Sequence, residues 1–113
     1  MRKYAILKEP KDNIKRIMLH ETDEGLYLYE YNTVKDEPCC SDLYFDSREA
    51  AETFIKAEFE VMESDWILIG DALEFCQNDL ILPIRIKGRD IGKPVWGHYE
   101  RLQDGVWIDH RFE

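Results

Sequence analysis

The hydrophobic period of this chain changes once, and that change limits what it can fold into more than any other feature. Through residues 14–20 and 26–31 apolar and polar side chains alternate, the period of two that belongs to strands with two distinct faces. Ile17 and Leu19 fall on one face of the first stretch, with Ile14, Met18 and His20 on the other. In the second, Leu26, Leu28 and Glu30 oppose Tyr27, Tyr29 and Tyr31. Thr22, Asp23, Glu24 and Gly25 between them have turn chemistry, which makes the two stretches antiparallel neighbours. From Ala51 the repeat lengthens. Ala51, Phe54, Ile55, Phe59 and Met62 recur at helical spacing, with Glu49, Glu52, Lys56, Glu60 and Glu63 on the opposite side, so one stripe is available for burial.

Asp46 has the chemistry of an N-cap and Glu49 lies three residues on, the spacing at which cap and carboxylate satisfy free backbone N–H groups reciprocally. Ser64 and Asp65 end the helix, and both Phe54 and Phe59 are expected to face a sheet. Shorter apolar runs supply further strands. Residues 4–7 form one, closed by Lys8, Glu9 and Pro10; residues 43–45 form another after a loop at 32–42; residues 66–69 read as a buried strand. One helical turn is expected at 72–75. Residues 80–87 read as a strand with Leu82, Ile84 and Ile86 toward the core, and Pro83, which cannot donate to a ladder, restricts it to an edge or a bulge. The sum is an α+β fold: a mainly antiparallel, twisted sheet of six to eight strands with one principal amphipathic helix packed on it. At 113 residues it is expected as a single globular domain, able to hide roughly two thirds of its unfolded surface without a metal or disulfide.

The stretch 87–112 concentrates turn signals, Trp, His and basic residues. Gly88 and Gly92, in a loop carrying Lys87, Arg89 and Lys93, suggest a backbone nest for an anion, although the glycine spacing is not that of a phosphate-binding loop and Pro94 follows instead of a helix. For the terminal hairpin, a two-residue loop at Asp104 and Gly105 sets Glu100 opposite Asp109, a like-charge pair. A three-residue loop from Gln103 to Gly105 avoids it, setting His98 opposite His110 and Arg101 opposite Trp107, and is the expected register. A cross-strand His pair with Glu100 on its face resembles the start of a metal site. With no HExxH, no His-x-His and no nucleophile in a recognisable turn, neither a metal ligand set, a cofactor nor a catalytic residue is assigned.

The net charge of −9 is unevenly spread: from Asp36 to Asp79 there are thirteen Asp/Glu against two Lys/Arg. This balance argues against a phosphate-backbone partner, so nucleic acid is not expected. No stretch has the length of a membrane span or the apolar run of a signal peptide, and a cytoplasmic location is expected. Cys39, Cys40 and Cys76 are odd in number, without CxxC spacing, and read as reduced thiols. The first functional expectation is a non-enzymatic module that binds a basic protein partner through an acidic surface including Glu49, Glu52, Glu60 and Glu63, as a regulator, adaptor or inhibitor. The alternative, from a different class, is a small anionic-ligand binder or enzyme using Lys87, Arg89, Lys93, His98 and His110.

Overall fold

Pairing begins with two tight turns. Asp12 and Asn13 take left-handed backbone angles (φ 51° and 68°), which short polar side chains tolerate and a two-residue hairpin loop needs. They join β1 (Arg2–Lys11) to β2 (Ile14–Thr22). At the next reversal the Thr22 hydroxyl accepts from the Glu24 N–H at 3.2 Å and donates to the Gly25 carbonyl at 3.0 Å, fixing the turn into β3 (Gly25–Tyr31). The computed structural model describes residues 1–112. It adds β4 (Ser41–Phe45), α1 (Arg48–Phe59), β5 (Ile67–Ile69), β6 (Ile84–Ile86), β7 (Tyr99–Gln103) and β8 (Val106–His110), with 3-10 turns at Glu63–Asp65 and Arg89–Ile91. The fold is α+β, and its strands form two antiparallel sheets, β4-β3-β2-β1-β5 and β6-β7-β8, where one sheet was expected. The chain divides into two compact units, Met1–Asp71 and the remainder from Ala72.

In the first unit α1 lies against one sheet face. Ala51 and Ile55 join Ala5, Leu7, Ile17, Leu19, Leu26 and Leu28 in one buried cluster, and half-buried Phe45, Phe54 and Phe59 pack around it. The stripe seen in the sequence is therefore the packing stripe, except that exposed Met62 lies beyond the helix. Ser47, not Asp46, is the N-cap: its hydroxyl accepts from the Ala50 N–H at 3.1 Å. One residue of offset suffices to take Asp46 out of position. β1 runs past its expected end at Leu7, because the ladder with β2 is interrupted after Ile6 and resumes at Lys11 opposite Ile14, stepping over Pro10.

The other sheet face, carried by Met18, His20, Tyr27, Tyr29 and Tyr31, is more buried than its alternation suggested. Arg16 is only 1% exposed. Its guanidinium lies 3.9 Å from the Tyr31 ring centroid, while its Nε and Nη2 have no hydrogen-bond partner. Stacking on the aromatic face replaces part of the lost hydration.

β5 departs from expectation in the opposite sense. It is a sheet edge paired only with β1, and Leu68 is 71% exposed.

In the second unit, residues 80–87 yield only the three-residue β6, with Ile84 and Ile86 buried and Leu82 exposed. β6 is an edge strand, as Pro83 requires, and the Pro83 carbonyl accepts from the Leu102 N–H at 3.0 Å. The expected helical turn at 72–75 is instead a reversal in which the Cys76 N–H reaches the Leu73 carbonyl at 2.9 Å, with Phe75 at φ 67°.

The β7–β8 hairpin takes the register that charge had argued against. Asp104 (φ 53°) and Gly105 (φ 80°) form a two-residue loop, pairing Gln103 with Val106, Glu100 with Asp109 and Tyr99 with His110. The like-charge pair is relieved by β6 and the residue after it: Arg85 Nε meets Glu100 at 2.7 Å, and Lys87 Nζ meets Asp109 at 3.1 Å. His98 and His110 are consequently not paired across the strands.

Candidate partner-binding cleft

The end of α1 shapes a partly apolar hollow of the first unit. Glu60 ends the helix in a left-handed conformation (φ 54°), its N–H bonding the Lys56 carbonyl at 3.3 Å. The chain then doubles back. The Asp65 carboxylate accepts from the Met62 N–H at 2.9 Å, closing a 3-10 turn that delivers Trp66 toward the sheet. Between helix and sheet remains a cleft of about 640 Å³. Val61, Met62 and Trp66 supply its apolar surface over the buried Leu19 and Ile55, and two lysines also line it, Lys56 and Lys3, the latter 4.7 Å from the Trp66 ring centroid.

Three of the four acidic residues singled out in the sequence, Glu52, Glu60 and Glu63, line this cleft. Glu49 does not. Among the described residues none of these three carboxylates is in an ion pair, whereas around the neighbouring hollow, which Glu60 also lines, Lys8 pairs with Asp65 at 3.5 Å and Lys11 with Glu58 at 2.9 Å. Lys3, Leu19 and Trp66 were missed in the sequence because the cleft arises from the chain reversal after the helix. The sole local signal was the large, polar-tipped Trp66 at the start of an apolar run.

The basic loop is arranged differently from the expected nest. The N–H groups of Ile91, Gly92 and Lys93 donate to the carbonyls of Gly88, Arg89 and Gly88 respectively, so the amides that an anion would need are already used. Arg89 donates to the Gln77 side chain at 2.7 Å, and Lys87 is paired with Asp109. His98 and His110 border one shallow hollow of about 400 Å³. His110 Nδ1 faces the Arg101 Nη1 at 3.2 Å, and because a guanidinium only donates, that nitrogen is occupied as an acceptor. Among the described residues no group of three or more His, Cys, Asp or Glu is placed to hold a metal ion. Cys39 is half-buried, Cys40 exposed and Cys76 buried, and none of the three is joined in a disulfide among the described residues. No described helix is long and apolar enough to cross a membrane.

His20 gives the first unit a pH response. Burial lowers its pKa from the ordinary imidazole value, and the N-terminal ammonium and Arg2 act in the same direction. The folded state therefore binds fewer protons than the unfolded state just below about pH 6.5. Stability from this group is complete above that pH and declines as pH falls toward the lowered folded pKa. Thermal melts between pH 7.5 and 5.5 should show a fall in Tm that His20→Gln flattens; an equal fall in the variant would assign it elsewhere. Glu21 and Asp71, held below the usual carboxylate range by the hydrogen bonds from Arg48 and the N-terminal ammonium, lose their contribution at lower pH, below their unfolded values near 4.

Comparison of the chain with protein-family models, curated proteins and solved structures finds no match.

Proposed function

We propose that this protein is a non-enzymatic binding module, and that its first unit takes up a basic segment of a partner protein in the cleft beside α1. The observation that carries the reading is the set of three carboxylates outside any ion pair, Glu52, Glu60 and Glu63, around an apolar surface of Val61, Met62 and Trp66. A lone acidic helix face is ordinarily just solvated, and exposed charges of that kind contribute little. Here the charges flank a concave apolar surface, the combination in which one buried anchor supplies affinity while surrounding charges supply selectivity and association rate.

The test uses synthetic peptides in which Lys or Arg flank one large apolar residue. Binding is expected to weaken with added salt, and reversing Glu52, Glu60 and Glu63 to Lys should raise Kd by about tenfold or more while leaving Tm nearly unchanged. Glu49→Lys, of the same sign but outside the cleft, should change Kd far less. Equal losses from Glu49→Lys and from the cleft reversals would point to a diffuse acidic field and sink the cleft reading.

A further inference from the structure

We infer that β5 is a strand-addition edge, so that the basic segment binds in extended form as a sixth strand of the first sheet; this rests on the reading above. Backbone geometry supplies the first support. Met1 and Glu21 exchange two hydrogen bonds, the Glu21 N–H to the Met1 carbonyl at 2.9 Å and the Met1 amine to the Glu21 carbonyl at 3.2 Å, so Met1 faces β2. Successive residues of a strand point their N–H and C=O groups to opposite sides. Arg2 and Tyr4 therefore face β5, where their register partners are Ile69 and Ile67. Leu68, opposite Lys3, turns its own N–H and C=O outward, and no described residue takes them up.

The side chains point the same way. Exposed edges are usually guarded by lysine, proline, a bulge or an inward charge, and Ile67–Ile69 carries none of these. Leu68 shares a sheet face with Lys3, which lines the cleft, so alternate side chains of an added strand project on the cleft side. A second copy of this chain is the obvious competing occupant, but it carries the same net charge of −9 and so is not complementary. Charge complementarity instead selects a segment with a large apolar residue and Lys or Arg two positions to either side, the spacing that keeps all three on one face. Main-chain bonds to a sheet edge with side-chain pockets at alternate positions are a general mode of peptide recognition.

The experiment places N-methyl groups on the alternating basic peptide that binds best, either on its odd-numbered or on its even-numbered amides. Only one set faces β5, so one methylated peptide should lose about tenfold or more in affinity and the other should stay within about threefold. On the protein, Leu68→Pro removes an N–H that β1 does not use. It should weaken binding about as much as the damaging methylation does, with Leu68→Ala milder and Tm nearly kept. Equal effects of the two methylated sets, or none, overturn strand addition even if Leu68→Pro fails to fold. If binding nevertheless depends on Glu52, Glu60 and Glu63, the cleft reading survives that result; if no basic peptide binds, the cleft reading itself has failed. Self-association of the free protein that Leu68→Pro abolishes would overturn the choice of a basic partner.

Discussion

Leu28→Ala is expected to lower the free energy of unfolding by about 2 to 5 kcal/mol, the range for removing a fully buried leucine from a core that relaxes only in part. Leu28 is 0% exposed. It sits on the interior strand β3 between Leu19 of β2 and Leu43 of β4, in the cluster that also takes in Ala51 and Ile55 of the helix. Ladders on both sides hold β3, so the backbone cannot close over the missing atoms, and the loss includes a cavity as well as transfer energy. Glu52→Ala, on the exposed helix side, should change stability by no more than about 0.5 kcal/mol. Phe54 and Phe59 should fall between these, since both pack on the cluster yet remain half-buried. Denaturant midpoints at constant m-value make the comparison. A Leu28→Ala midpoint as close to the parent as that of Glu52→Ala would show that the helix does not cap this face.

Gly25→Ala should be nearly as damaging, at roughly 2 to 4 kcal/mol, for a reason unrelated to hydrophobicity. Gly25 has φ 146°, and a Cβ there would lie 2.5 Å from the Tyr44 hydroxyl and 2.7 Å from the Phe45 carbonyl oxygen. Tyr44 can swing aside only by giving up its hydrogen bond to the Glu24 carbonyl. Phe45 cannot move in that way, since its backbone is paired with Leu26. Backbone strain and overpacking each cost about 1 to 3 kcal/mol. Gly70→Ala is the control: a Cβ there meets nothing within 4 Å, so its midpoint should stay close to the parent. Indistinguishable midpoints for the two glycine variants would mean that β4 does not approach β3 this closely.

The parts of the fold legible in the sequence are those set by neighbours along the chain. The alternation at 14–20 and 26–31 and the helical stripe from Ala51 to Phe59 each express one face choice repeated over many residues, and both elements stand where the pattern puts them. The hairpin register was misread because the decisive groups lie elsewhere. Glu100 opposite Asp109 looks unfavourable until Arg85 and Lys87 arrive from 15 and 22 positions earlier, and local pairing rules contain no such partner. β5 was misread because a run of Trp, Ile, Leu and Ile has the same composition at a sheet's edge as at its centre. The acidic residues of the cleft were visible singly, but their convergence depends on the left-handed exit at Glu60, a conformation that a glutamate does not announce.

The pairing of β1 with β5 also sets an order of assembly. β1, β2 and β3 are joined by two-residue loops and β4 follows after one longer connection, so these strands pair between near neighbours as soon as they leave the ribosome. Arg2 and Ile69 are partners from opposite ends of the unit, and closing so long a loop is entropically slow. β1 therefore waits with its outer side open until the helix and the reversal after it have been made. The strand that then covers it is three residues long, so the last seam to close is also the first to fray, and the edge offered to a partner belongs to the most weakly held strand of its sheet.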